Sequence, residues 1–348
     1  MGVEARKERL RNILRQTLDE QLHSDAGAID ANGHRRRLSG PWGTFFDEQN
    51  AWNEATRLNH DLYLAMCGQF DDNLIREILL AAADIKISRT SLGKQKIDLL
   101  EAVAEHHAFQ IITSKDRWIL RADCGKGGWA NRMERLAEPD EADGVHNVYI
   151  ASDTTLAETG RMLDEAGEDD LFGALLGIPA CCREAFERSR LSAAEKQNDF
   201  VPYVLDNTCG AMPYDWRLNY IAQYFGYSLL SFFPCSFRCP AAAAVADLTH
   251  RMLADCDADW AKRFVELQQT NVLYTENRGL HLFRSRLSDG VIAYQPKDLQ
   301  SSEGTELARL LQHGDRLEVI GKHAVRVFRG STKLEDIAGE DVCMCAFC

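Results

Sequence analysis

Apolar residues recur at three- and four-residue spacing from about 46 to 107, which predicts helices near 47–66, 71–84 and 92–107. A charged amphipathic helix is expected over 3–24. It is followed by a linker at 25–44 carrying Gly27, Gly33, Arg35, Arg36, Arg37, Gly40 and Pro41. The N-terminal region therefore reads as all-helical. The pattern then changes: "AFQIITSKDRWILRAD" predicts two short β runs about a turn at Ser114, Lys115 and Asp116, and "VHNVYIAS" predicts another strand. Helices follow near 154–166, 180–190, 215–225 and 240–269, with most of the cysteines in the loops between them. Strands are expected near 279–285, 291–295 and 316–328, with a helix near 303–313.

These elements predict a mostly helical α/β chain of the α+β kind. They divide it into a helix and linker at 1–44, a helical region at 45–108, a cysteine-pair metal-binding domain at 109–270, and a small α/β region at 271–348 with a C-x-C-x2-C tail. No internal repeat or low-complexity segment interrupts them.

At 348 residues and 45% apolar content the chain can bury a substantial core without staples. Acidic residues outnumber basic ones by 53 to 40, and the net charge of -13 repels a phosphate backbone, so nucleic acid is disfavoured as a partner. The opening "MGVEARKERLRNILRQTL" lacks the apolar core of a secretory signal. The longest near-apolar stretch, 220–234, is too short for a bilayer and is broken by Gln223 and Gly226. A cytoplasmic protein without a membrane partner is expected.

Eleven cysteines in a reducing compartment read as thiols, metal ligands or redox groups rather than disulfides. In "LLGIPACCREAFERSR", Pro179 marks a helix start, so Cys181 and Cys182 fall in the first turn, where exposed N–H groups stabilise thiolates. In "SFFPCSFRCPAAAAVADLTHRM", Pro240 should start a second helix directly after Cys235 and Cys239. Four thiolates at two helix entrances stack negative charge that a cation would offset. A four-cysteine shell suits tetrahedral zinc or an iron-sulfur cluster. The spacing is unlike the paired C-x2-C knuckles of zinc ribbons, which points toward an iron-sulfur cluster or iron, with zinc as the alternative. Adjacent helical side chains diverge, so Cys181 and Cys182 can share one ion only through local distortion. The bland alternative is burial as small hydrophobes, the default for Cys67, Cys124, Cys209 and Cys256. Cys343, Cys345 and Cys348 end the chain as a mobile tail able to complete, deliver or separately bind a metal, or as a tail tucked against the domain.

The strings "LLGIPACCREAF" and "WRLNYIAQYFGYSLLSFFPCSFRCPAA" resemble an uncharacterised prokaryotic family, the domain of unknown function 483, over about residues 147–255. The resemblance puts Pro179, Cys181, Cys182, Asn219, Pro234, Cys235, Ser236 and Cys239 at signature positions, with Ile178 where an aromatic residue is expected. It implies that the paired cysteines act as one unit and names no activity.

Glu101, Glu105, His106 and His107 cluster at a helix end but lack a matching Glu-x-x-His pair, and read as a solvated face. His60 and Cys67 share a helix side, as a core stripe would. His250 lies three turns past Cys239 and reads as packed or surface. The glycines and Lys126 of "RADCGKGGWAN" suggest an anion cradle without a nucleotide-binding spacing. Asp206, Asn207 and Cys209 can serve as groups near the cysteines or simply as turn formers.

Three functions compete. The leading one is an oxidoreductase-like metalloenzyme acting on a small-molecule substrate, with an electron donor or protein partner and with Phe232, Phe233, Phe237, Tyr214 and Trp216 as a dry wall. The others are a non-catalytic, zinc-stabilised partner-binding protein and a metal-free thiol oxidoreductase.

Overall fold

Leu74, Ile75, Ile78 and Leu79 form one buried stripe of helix α1 (Asp72–Ala82), the first labelled element in a computed structural model that describes residues 59–120, 133–195, 199–302 and 305–348. The helix expected at 3–24, the linker at 25–44 and the loop with Cys124 and Lys126 lie outside the described residues. A helical stretch at 59–66 precedes α1. The chain continues through β1 (Ser88–Leu92), α2 (Lys94–Ala104), β2 (Gln110–Leu120), β3 (Met133–Leu136), β4 (Val145–Ala151), α3 (Thr154–Glu165) and α4 (Asp169–Leu175).

The region expected to be all-helical contains a strand, β1. Its sequence, SRTSL, has no apolar alternation to announce it. It forms because it pairs antiparallel with the apolar β4, Arg89 opposite Tyr149 and Thr90 opposite Val148. The expected turn at Ser114 to Asp116 is likewise absent, and β2 runs through it as one strand. Ser114 uses its polar groups across the sheet instead: its hydroxyl accepts the Asn147 N–H at 3.0 Å and its carbonyl faces His146 Nδ1 at 2.9 Å. The four strands order as β1-β4-β2-β3.

Two compact units result. Of the described residues the first gathers 59–70, 74–115 and 146–178, a division that differs from the boundaries at 108 and 270 read from the sequence. The physical reason is the pairing of β1 with β4, which joins chain segments that a linear division separates. Its core contains Ile87, Tyr149, Ala157, Leu163, Leu171 and Phe172. Asp153 caps α3 by accepting the Leu156 N–H at 2.9 Å.

The second unit takes 71–73, 116–145 and 179–348. It begins its main run with α5 (Ala180–Glu195) and α6 (Val201–Asp206), then two 3-10 turns, Trp216–Leu218 and Tyr220–Phe225, where a single helix was expected. The helix expected over 240–269 is two helices, α7 (Pro240–Cys256) and α8 (Ala258–Gln268). Asp257 divides them: it leaves helical geometry at φ -160° and caps α8 through the Trp260 N–H at 2.7 Å. The strands β5 (Asn271–Thr275), β6 (Gly279–Phe283), β7 (Val291–Ala293) and β8 (Leu299–Ser301) follow. Helix α9 (Glu306–His313), β9 (Arg316–Gly321), β10 (Ala324–Arg329), β11 (Thr332–Ala338) and β12 (Val342–Cys345) complete the chain. They form two antiparallel sheets, β12-β5-β6-β8 and β11-β10-β9-β7, around a core containing Leu273, Phe283, Ile292, Leu311, Val325 and Met344.

Of the two readings of the C-terminal tail, the tucked one matches the structure. Val342 and Met344 face that core, and the strand period of two turns Cys343 and Cys345 to the other face, beside Tyr274 and Val272 and toward α6. The Tyr214 N–H bonds to Ala346 O at 2.7 Å and the Cys348 N–H to Tyr214 O at 3.1 Å, which fastens the last residues. Among the described residues no helix is long and apolar enough to cross a membrane.

Candidate metal centre

Pro179 accepts the N–H groups of Cys182 at 2.9 Å and Arg183 at 3.0 Å, so the first turn of α5 presents Cys181 and Cys182. Neighbouring helical side chains point about 100° apart around the axis. The two sulfurs nevertheless lie 4.0 Å apart, because side chains in a first turn lean toward the helix start. The second pair sits on a turn ahead of α7. The Cys239 N–H bonds to Ser236 O at 3.2 Å, and Cys239 is itself the N-cap, its sulfur accepting the Ala242 N–H at 3.4 Å. Cys181 Sγ is 3.7 Å from Cys239 Sγ, and Cys182 Sγ is 3.8 Å from it. All four sulfurs, Cys235 included, lie within 4.8 Å of one another. Among the described residues they form the one group of three or more such side chains able to hold a metal ion.

The site is closed on one side and open on the other. Cys182 and Cys239 are 1% and 3% exposed, Cys235 is half-buried, and Cys181 is exposed. The Cys235 N–H donates to Cys182 Sγ at 3.3 Å. Without a cation the crowded thiols do not share charge evenly. The Cys182 thiol bonded to Cys239, together with the Ala242 N–H, lowers Cys239 to about 5 against the opposing effect of burial. Cys182 is correspondingly raised because its proton is held against Cys239, and burial adds to this. Burial, and then the negative charge on Cys239, raises Cys181 and pushes Cys235 up to about 12. The metal-free cluster thus resembles one thiolate among three thiols, a charge pattern that a divalent cation would convert to four thiolates.

Phe233 and Phe237, two residues on either side of Cys235, belong to a row of rings. Phe200 stacks on Phe186 at 4.9 Å and on Phe233 at 4.5 Å, Phe233 meets Tyr220 at 4.8 Å, and Tyr214 stacks on Phe237 at 5.7 Å. The Tyr214 and Tyr220 hydroxyls are buried with no hydrogen-bond partner among the described residues, and burial pushes Tyr214 up to about 12. Of the wall expected from the sequence, Phe233, Phe237 and Tyr214 belong to this row. Trp216 instead meets His250 edge-on at 6.0 Å. Sequence reading missed Phe200 and Tyr220, whose apolar neighbours mark burial but not direction.

Other expected groups go elsewhere. Asp206 faces His323 Nε2 at 3.0 Å, and Asn207 ends α6. Cys67 and Cys209, expected to be buried, are exposed, while Cys256 is buried. Cys343, Cys345 and Cys348 do not join the four-sulfur group. Glu101, Glu105 and His106 are exposed at the end of α2. Asn219 is buried and donates to Gln268 O at 2.9 Å, and Ser236 Oγ accepts the Arg238 N–H at 3.3 Å. Thr208 was not singled out from the sequence. Its hydroxyl accepts the Phe237 N–H at 2.9 Å and so holds the turn between Cys235 and Cys239.

No family model matches this chain, and no curated protein or solved structure matches it.

Proposed function

We propose that Cys181, Cys182, Cys235 and Cys239 hold a single tetrahedral metal ion, zinc ahead of iron, and that the ion fastens the entrance of α5 to the entrance of α7. The sulfur separations carry this reading. Four thiolates at 2.3 Å from a common ion lie about 3.8 Å apart along each tetrahedral edge, and the distances of 3.7, 3.8 and 4.0 Å fall around that value. An iron-sulfur cluster divides the four cysteines among two or four irons, not one common ion, and spreads the sulfurs further apart.

A shell of four protein ligands leaves no position for substrate or water, so the ion supplies folding free energy rather than turnover. The protein is then a zinc-fastened protein whose work is recognition by its surfaces. A redox centre at the same cysteines is the second reading, supported by the ring row of Phe200, Phe233 and Tyr220, which comes within two residues of Cys235 at Phe233.

Elemental analysis and a visible spectrum of protein prepared without oxygen decide between them. One zinc per chain in a colourless protein, with thiolate-to-metal absorption appearing on cobalt substitution and lost in a Cys182→Ala, Cys239→Ala variant, is the expected result. Several irons with acid-labile sulfide would overturn the single-ion reading. One iron with a reversible reduction would favour the second.

A further inference from the structure

The four sulfurs are not equally reachable, and the inequality has a chemical consequence. Cys181 is exposed while Cys182 and Cys239 are 1% and 3% exposed, and Cys235 is half-buried. A structural thiolate shell enclosed on all sides is inert to oxidants; one with an open corner is not. We propose that Cys181 is the oxidant-sensitive corner of the metal site, that a peroxide attacks its sulfur, that Cys239 resolves the product as a disulfide, and that the ion is thereby released. This rests on the single-ion reading above.

The steps balance without any further reactant. The Cys181 thiolate attacks one oxygen of hydrogen peroxide, the O–O bond breaks, and with one proton the products are a sulfenic acid and water. The Cys239 thiolate then attacks the Cys181 sulfur, and hydroxide leaves and takes a second proton from solvent as water. Two thiolates have lost two electrons, peroxide has gained them, and the ion is left with Cys182 and Cys235, too few to hold it.

Geometry selects the partner. Cys239 Sγ lies 3.7 Å from Cys181 Sγ, and it comes from a different helix, so the pair can close with ordinary side-chain adjustment. Cys182 Sγ is 4.0 Å away, but a Cys181–Cys182 bond would close a small ring around one planar trans peptide and strain it. Cys67, Cys209 and Cys348 are also exposed, yet none belongs to the four-sulfur group, so their oxidation removes no ligand. The disulfide takes over the task of the ion, since it too ties the entrance of α5 to that of α7. The device therefore changes metal occupancy while keeping the helices joined.

The test uses the full chain loaded with zinc, with hydrogen peroxide as oxidant. Zinc release is read by a colorimetric chelator, and peptide mapping after alkylation reads the bonds formed. The expected result is release of the bound zinc together with a Cys181–Cys239 disulfide, both reversed by a thiol reductant and added zinc. Timed alkylation should modify Cys181 before the other three. A Cys181→His variant keeps four ligands, because three cysteines and one histidine also suit zinc, and should slow release by about tenfold or more. Release at an unchanged rate in that variant, or a disulfide that omits Cys181, would overturn the proposal. Zinc-loaded protein that withstands peroxide would overturn it too while leaving the single-ion reading intact. A chain that takes up no zinc before oxidant is added would remove the reading itself.

Discussion

Lys322 Nζ donates to the carbonyl of Thr208 at 2.6 Å and to that of Leu205 at 3.0 Å, so a cation between β9 and β10 closes the C-terminal end of α6. The partial negative charge of a helix end and its unpaired carbonyls make this the favourable place for a lysine. Lys322→Met removes both bonds and takes the lysine donor from the Thr208 carbonyl, while the Leu205 carbonyl keeps the Thr208 N–H at 3.0 Å. Hydrogen bonds to a charged group contribute about 1.5–3 kcal/mol each, less where water can substitute. A loss of about 2 kcal/mol is expected, read as a lower urea midpoint at unchanged slope. An unaltered midpoint would mean that solvent replaces the lysine fully.

Thr208 passes this order on to the four-cysteine group. Its Oγ1 accepts the Phe237 N–H at 2.9 Å and donates to Val204 O at 2.6 Å, so the turn bearing Cys235 and Cys239 is bonded to the last turn of α6. Thr208→Val keeps the shape of the side chain and deletes both bonds. Groups that orient ligands typically contribute about 10–100-fold in metal affinity. A weakening of zinc binding near the lower end of that range is expected, measured by competition with a chelator of known affinity. Unchanged affinity would show that the turn holds its form without the hydroxyl.

The four cysteines were legible in the sequence because their signals are local. A proline beside each pair marks a helix entrance, and a helix entrance suits a thiolate whatever the rest of the chain does. Their meeting was expected on charge grounds alone, since 57 positions separate Cys182 from Cys239 and only the packed fold shows them joined. Thr208 was invisible for the same reason: a threonine two residues past a helix end has a dozen uses. The tail left two readings open because chain ends are usually loose, and the Val342 and Met344 alternation decides for the tucked one by drawing the segment into a sheet. β1 escaped notice because its strand character comes from β4, not from its own residues. Asp257 could have been found, because an aspartate three residues ahead of a buried tryptophan is an ordinary helix start inside a run otherwise read as one helix.

His281 provides a test of pH dependence. It is fully buried on β6, with Nδ1 at 2.9 Å from Ser301 Oγ and Nε2 at 3.2 Å from Arg278 O. One arrangement satisfies both contacts, the hydroxyl donating to Nδ1 and the Nε2–H donating to the carbonyl. Burial lowers this histidine to about 4, against the opposing pull of the Arg278 carbonyl. The unfolded chain therefore binds a proton below about pH 6.5 that the folded chain refuses until near pH 4. Stability is complete above the unfolded value and falls as pH drops through this window. The loss approaches about 3 kcal/mol at the acid end. Urea unfolding of wild type and His281→Gln across the window checks it. The difference between them should narrow as pH falls, and parallel curves would sink the assignment.

Glu77 carries the opposite dependence in the first unit. Its carboxylate is bonded to Arg76 Nη2 at 2.8 Å, to Ser88 Oγ at 2.9 Å and to Lys86 Nζ. Burial alone would raise its pKa, but Lys86 and then Arg76 outweigh that and hold it at about 2, below the ordinary 4.5. The folded chain thus keeps Glu77 ionised where the unfolded chain takes up a proton. Its contribution is present above pH 4.5 and is lost as pH falls toward 2. Removing one member of a buried ion pair costs about 3–5 kcal/mol, because the remaining charge stays in a dry place. Glu77→Gln is expected to lose that much at neutral pH, and the gap to wild type should shrink below pH 4.5. Replacing Glu77 and Lys86 together by Leu and Met removes both charges and should recover part of the loss. If the double variant is less stable than Glu77→Gln, Glu77 is not stabilised chiefly by Lys86, and the carboxylate owes its ionised state to Arg76.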